Sequence, residues 1–413
     1  MRLGIVGAGQ AACTLIAELI RGDFKGDILV FNGEPHAPYQ RPPLSKNWLT
    51  TSAGPTSLRL LPEPLETHPS IQWIQASVQS LSPDRGLLTT DQGTYLVDHL
   101  VLATGTTAIK PSIPGLASES IHVVRTLDHA QRLHQSLEGV ANITIIGASF
   151  LAFELASSLA DPSRTIRILA KGIRALPQVA VKTADRLVDQ APASIRVGIE
   201  IERFDETTQA LVTNLGSIPS DLVIAAIGAQ PNDALATACG LGSSDGIPVD
   251  EFMQTAHPKV SAIGEVSLHH QPHLNRIQRI ESISEANDSA SICAKRLLGH
   301  PEPFQATPWF WSDQGDAKLQ IAGLCDRTDD ETCLIESATE LVMIRHQGQR
   351  VTAIEALNSA KEFMAARRLL DQGDLALDDL LQAGSVFAQL QSSRSCSSPG
   401  IRLVAETPNG FNC

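Results

Sequence analysis

Two strand-to-helix turns offer the first chemistry in this sequence. Gly7-Ala8-Gly9-Gln10-Ala11-Ala12 is a GxGxxA turn between the apolar run LGIVG (3–7) and the helical pattern AACTLIAELI. Gly7 permits a tight turn, Gly9 lets backbone approach a pyrophosphate, and the small Ala12 allows close helix–strand packing. The helix N-terminus adds unpaired N–H groups and a positive dipole. A second opening of this kind follows at Gly147, after NITIIG (142–147) and before FLAFELASSLA. The acid expected to hold ribose hydroxyls near the end of the second strand is Glu34, just past Asn32-Gly33; a solvated turn carboxylate has the same signature. Sulfur chemistry finds no support. The 7 cysteines include no CxxC pair, which argues against a disulfide framework, a zinc ribbon, an iron–sulfur site or a redox dithiol. They read as reduced thiols packed as small hydrophobes, as in a cytoplasmic protein.

The elements that position these turns follow from apolar patterning. LGIVG, HLVLATG (99–105) and NITIIG have the length and β-branched content of buried parallel strands. DILVF (27–31), TIRILA (165–170), DLVIAAIG (221–228) and VSAIGE (260–265) add further strands, and the helical patterns between them put apolar residues on one face. Repeated strand–helix–strand units mean an α/β fold with parallel sheets and two Rossmann-like units. HAPYQRPPLSK (36–46) is a proline-rich loop with a short helix after it. From about residue 305 the strand-like pieces KLQIAGL, CLIES, ELVMIRH and VTAIEAL predict an antiparallel sheet, with a helix around 359–372. SSRSCSSPG reads as a poorly ordered tail.

The composition bounds the function. A chain of 413 residues holds two or three domains, and 43% hydrophobic with 19% charged residues is globular. Its 32 basic and 45 acidic residues leave −13, a balance that repels nucleic acid and anionic membrane over most of the surface. The N-terminal LGIVGAGQAACTLIAELI loosely imitates a secretion signal, but Gln10 and Glu18 interrupt it, and no run approaches a membrane span.

GAGQAA, YQRPPLSK, LVLATG, AIGAQPN and PWFWSDQ, in this order, resemble the FAD-dependent ferredoxin and rubredoxin reductases of bacterial oxygenase systems, and the related apoptosis-inducing-factor flavoproteins. The resemblance spans residues 1 to about 370. It implies an FAD domain (1–108 and 230–305), an inserted NAD(P) domain (109–229), a C-terminal α+β domain (306–390) and a tail (391–413). It also implies that Arg41 and Lys46 sit over the FAD, Lys46 near the flavin N5 with Glu154 as partner. A buried ammonium there needs a carboxylate. Ala103-Thr104-Gly105 resembles the crossing between the two domains, Trp311 the residue lining the cavity where nicotinamide meets flavin, and Phe150 the aromatic beside the nicotinamide.

The chain departs from the family at several places. Gly147-Ala148-Ser149-Phe150-Leu151-Ala152-Phe153-Glu154 stands where the family has GxGxxGxE; Ser149 still admits a phosphate. After Ala170, where NADH-selective relatives carry an acid, come Lys171 and Arg174, which attract a 2′-phosphate or are ordinary surface cations. Glu265 replaces the aspartate that bonds the FAD ribityl chain, and Ile283 and Glu285 follow Arg279-Ile280-Glu281-Ser282 in place of a tryptophan and an asparagine. The expected function is an NAD(P)H:ferredoxin reductase that uses FAD, with NADPH or NADH as donor, and feeds a [2Fe–2S] ferredoxin of a Rieske oxygenase or cytochrome monooxygenase. The alternative is an apoptosis-inducing-factor-like flavoprotein that turns over weakly and acts through partner binding. An acidic ferredoxin meeting this acidic chain predicts a local basic patch, for which Arg276, Arg279, Lys295 and Arg296 are the candidates.

Overall fold

Both faces of β1 (Arg2–Val6) are covered, which is why Leu3, Gly4, Ile5 and Val6 are all buried. The computed structural model describes residues 1–51, 55–373 and 375–396. Helix α1 (Gln10–Arg21) follows β1 and turns Ala12, Leu15, Ile16 and Leu19 inward at the 3.6-residue period. Next come β2 (Asp27–Asn32), β3 (Ile71–Gln75) and β4 (His99–Leu102). The proline-rich segment between β2 and β3 forms a 3-10 turn at Pro42–Ser45 and a short helix at Asn47–Thr50.

The chain leaves this unit through Thr106–Ala108 and returns through Ala229–Pro231, two strands paired antiparallel. Between them lie β5 (Ile121–His122), α2 (Leu127–Gln135), β6 (Asn142–Ile146), α3 (Phe150–Leu159), β7 (Thr165–Ala170), α4 (Val181–Gln190), β8 (Ser194–Val197) and β9 (Leu222–Ala225). They make a parallel sheet in the order β8-β7-β6-β9-β5. After the return, β10 (Val260–Ala262) pairs with β4 and completes a first parallel sheet in the order β10-β4-β1-β2-β3. Helix α5 (Ile283–Leu297) then packs on α1, where Asn287 Oδ1 accepts from Gln10 Nε2 and Thr14 Oγ1, both at 2.8 Å.

Five antiparallel strands follow: β11 (Trp309–Gln314), β12 (Ala317–Gly323), β13 (Asp330–Glu336), β14 (Leu341–Gln347) and β15 (Arg350–Leu357), in the order β11-β12-β15-β14-β13. Helix α6 (Ala360–Asp371) covers them, burying Phe363, Ala366 and Leu370. Several expected bounds needed correction: the strands read as 221–228 and 260–265 end at Ala225 and Ala262. The strand read as 99–105 ends at Leu102, because Ala103-Thr104-Gly105 turns and Gly105 has φ +63°. The segment from 391 begins as helix, since Val386–Cys396 is helical and Val386 and Leu390 pack on α6; the remaining tail, 397–413, lies outside the described residues.

Candidate functional site

The first glycines of the two turns are forced by the same geometry. Gly7 has φ +105°, and a Cβ on it would lie 2.3 Å from the Ala103 carbonyl oxygen; Gly147 has φ +101° and would meet the Ala226 oxygen at 2.4 Å. In each unit the turn leans on the strand beside it, and only glycine allows that approach. Gly9 differs: a Cβ there would meet no atom within 4 Å, so backbone faces open space.

That space is a cavity of about 670 Å³, within the range of cofactor sites. Its lining includes Gly7, Gly9 and Glu34, then Ala103, Thr104, Gly105 and Glu265, and also Arg41, Lys46, Phe150, Glu154 and Trp311. Ala12 lies wholly buried behind the first turn. Gly147 and Ser149 stand outside this lining: Ser149 donates to the Ala226 carbonyl at 3.0 Å and opens α3, whose Phe150 and Glu154 reach the cavity.

Lys46 and Glu154 meet. Lys46 Nζ lies 2.8 Å from Glu154 Oε2, with the carboxylate 7% exposed. Ser45 donates to the same oxygen at 2.7 Å and Ser312 to Oε1 at 2.8 Å, so both acceptor atoms of a buried charge are satisfied. Ser312 arrives from β11, which also brings Trp311, stacked on Trp309 at 5.5 Å, and Phe310, packed on Phe150 at 4.8 Å.

Two further carboxylates at the cavity are paired. Glu34 Oε1 accepts from Arg41 Nη2 at 2.5 Å and Oε2 accepts from the Tyr39 hydroxyl, while Arg41 Nη1 donates to the Arg125 carbonyl at 2.8 Å. Burial pushes the Tyr39 phenol well up, so it stays a donor. Glu265 Oε2 accepts from Arg125 Nη2 at 2.5 Å and from Thr106 Oγ1 at 2.9 Å. At the crossing, Thr104 Oγ1 donates to the Asn232 carbonyl at 2.7 Å and Asn232 Nδ2 to that of Thr104 at 2.9 Å. Arg125, Thr106, Phe310 and Ser312 were not found by sequence reasoning. Ser312 stood beside Trp311 in a quoted motif, whereas Arg125 had only its place before the Thr126 helix cap as a signal.

Other expected residues do not converge. Lys171 is 83% exposed and sits 3.3 Å from Glu200. Arg174 turns onto its own loop, its Nη2 donating to the carbonyls of Leu176 and Val179. The four candidates for the basic patch all have partners within the chain. Arg276 pairs with Asp326, Arg279 with Glu281 and Lys295 with Glu302, while Arg296 donates to the Phe252 carbonyl and the Ser261 hydroxyl. Lys295 and Arg296 occupy the last turn of α5, roughly 20 Å along the helix from Ile283 at the cavity.

The sequence matches the pyridine nucleotide-disulphide oxidoreductase domain over residues 1–290 and the reductase C-terminal domain over 309–386. It is 30% identical to a probable ferredoxin reductase of Castellaniella defragrans over 382 residues, 89% of this chain and 93% of that one. It is also 30% identical to a rubredoxin-NAD(+) reductase of Pseudomonas putida, over 87% of this chain and 97% of that one. The chain belongs to the ferredoxin and rubredoxin reductase family. The reductase superposes on the ferredoxin reductase for the CYP199A2 system of Rhodopseudomonas palustris with a TM-score of 0.89 at 29% identity, covering 95% of this chain and 99% of that one. With putidaredoxin reductase, in its covalent complex with putidaredoxin, the TM-score is 0.88 at 27% identity, covering 96% and 99%.

The reductase is therefore an oxidoreductase that uses FAD and NAD(P)H. The lining is compatible with FAD: backbone at Gly9 is open beside the start of α1, and the cations Arg41, Lys46 and Arg125, each paired to a carboxylate, share the cavity with the aromatic Phe150 and Trp311. Among the described residues no cysteine is in the cavity lining, and burial pushes the Cys13 thiol of α1 well up. Among the described residues no helix is long and apolar enough to cross a membrane.

Proposed function

We propose that the reductase passes electrons from NAD(P)H through FAD to a [2Fe–2S] ferredoxin serving a Rieske oxygenase or cytochrome monooxygenase, in the cytoplasm. The observation that carries this reading is the Lys46–Glu154 pair, which joins the YQRPPLSK loop to α3 at the wall of one continuous cavity. FAD supplies hydride acceptance and single-electron release, so one NAD(P)H reduces two one-electron carriers and yields NAD(P)⁺ and a proton.

The chain's residues bind and orient. Gly7, Gly9 and Ala12 with the start of α1 hold the pyrophosphate, Glu34 the ribose, and Ala103-Thr104-Gly105 the passage between units 1–108/230–305 and 109–229. Glu265 reaches the ribityl chain while fixing Arg125. Glu154 would hold the Lys46 side chain in place beside the flavin, and Trp311 would exclude water. Gly147, Ser149 and Phe150 receive the nicotinamide nucleotide. NADPH is the preferred donor: Ala170 stands in place of the acid of NADH-selective relatives, and the exposed Lys171 exchanges Glu200, 3.3 Å away, for a 2′-phosphate, while Arg174 is bonded to its own loop. The names of the relatives, with ferredoxin, rubredoxin and putidaredoxin as carriers, support this direction of electron flow.

The test is anaerobic. The purified yellow protein is mixed with NADPH or NADH, and the bleached form is offered a [2Fe–2S] ferredoxin or a rubredoxin. Rapid bleaching and reoxidation by the ferredoxin are expected. Reoxidation by rubredoxin alone would overturn the partner class, and a bleached form that neither carrier reoxidises would overturn the reductase reading.

A further inference from the structure

The loop between β7 and α4, residues 171–180, is held from outside its own unit. Ala180 N donates to both oxygens of Glu355, at 2.9 and 3.1 Å, and Val181 N donates to Glu331 Oε2 at 2.9 Å. These N–H groups open α4 and have no intrahelical partner, so carboxylates satisfy them well. Glu355 lies on β15 and Glu331 on β13, so the antiparallel sheet caps a helix of the second parallel sheet.

The capping carboxylate is rigid. Glu355 is 1% exposed and its charge is matched by Arg345 of β14, 2% exposed, at 3.4 Å; Arg345 also reaches Glu331 at 3.9 Å and donates to the Asp326 carbonyl at 3.0 Å. From Ala180 the ties continue inward. Val179 N donates to the Leu176 carbonyl at 3.2 Å, and Arg174 donates to the carbonyls of Leu176 and Val179. Leu176 N donates to the Ala148 carbonyl, inside the second turn, at 3.0 Å. Leu176 is wholly buried with φ +46°, a conformation that its surroundings must enforce.

We propose that Glu355, fixed by Arg345, is a positioning residue for the nicotinamide nucleotide: it sets the loop after Ala170 and, through Leu176, the turn at Gly147–Ser149. This rests on the reading that the nucleotide binds at that turn. In sheets of this type the adenosine end of a dinucleotide lies against the turn and the loop after the second strand. Contacts there act equally on bound substrate and transition state, so loosening them raises KM and leaves kcat. Glu331 does the same from the outer side with a more exposed carboxylate.

The experiment compares FAD-loaded wild type with Glu355→Ala, Glu355→Gln, Glu331→Gln and Ser149→Asp. Ferricyanide serves as acceptor, so that carrier docking plays no part, and NADP⁺ binding is measured by calorimetry. Glu355→Ala is expected to raise KM for NADPH and the NADP⁺ Kd about tenfold, with kcat and FAD content nearly unchanged; the two glutamine variants shift both by about threefold. If Glu355→Ala does not fold, Glu331→Gln decides alone. Unchanged KM and Kd in the folded variants, or a loss confined to kcat, overturns the proposal. Ser149→Asp separates the two failures. If it raises KM while the glutamate variants do not, the positioning role falls; if it also leaves KM unchanged, the nucleotide lies elsewhere and the underlying reading falls with it.

Discussion

Removing both members of the Lys46–Glu154 pair should cost less than the sum of removing each alone. Breaking a fully buried ion pair by deleting one partner costs about 3–5 kcal/mol. Here the lysine side chain is 19% exposed, which lowers that figure, and the glutamate keeps Ser45 and Ser312 as donors. Lys46→Met should therefore cost about 2 kcal/mol and Glu154→Gln, which strands the ammonium, about 3 kcal/mol. The double variant has no unmatched charge and should cost about 3 kcal/mol rather than the sum, a coupling of about 2 kcal/mol. Urea unfolding in saturating FAD, followed by far-ultraviolet circular dichroism, measures all four proteins. A double variant equal to the sum of the singles within about 0.5 kcal/mol would refute the pairing as an energetic unit.

Glu265→Asp withdraws the carboxylate from Arg125 and Thr106 and frees the guanidinium for phosphate; FAD should bind about tenfold tighter by fluorescence quenching, and equal or weaker binding would show that the extra methylene is no handicap. Lys171→Glu should lower the ratio of kcat/KM for NADPH over NADH by roughly tenfold, whereas Arg174→Ala should weaken both nucleotides alike, since its bonds are to its own loop. Burial, then the neighbouring Glu285, raises the Asp288 carboxyl to about 6. A folded pKa above the unfolded value makes ionisation a penalty that is absent below about pH 4, grows through pH 4–6 and is full above it, so Asp288→Asn should stabilise the protein by about 2–3 kcal/mol at pH 7.5 and by almost nothing at pH 4. Equal effects in urea at both pH values would refute this.

The strands were legible because apolar runs bounded by glycine leave few alternatives, and Gly7 and Gly147 mark their turns by a steric need that sequence expresses directly. Lys46 and Glu154, 108 residues apart, were legible because each occupies a fixed place in a recognisable motif. Glu265 was identified but its partner was not: Arg125 stands 140 residues away in a segment without a motif. The partners of Arg174 and of the four candidate patch cations were not legible for a related reason. Spacing gives the charge, but the face and the partner depend on how loops close, as when Arg174 folds back on a loop kept in shape by Leu176.

The place of β10 beside β4 has a consequence for synthesis on the ribosome. Roughly 160 residues separate the two strands, so at 5–20 residues per second β4 waits roughly 8–30 s for its neighbour. All strands of the second parallel sheet lie between 121 and 225, so that unit is finished first while the edge of β4 stands open to wrong pairing. A chain ending after Pro231 should thus yield a protease-resistant core from residues 109–229 and a digested 1–108. The unit begun first is closed only after the one inserted into it, and before the C-terminal sheet.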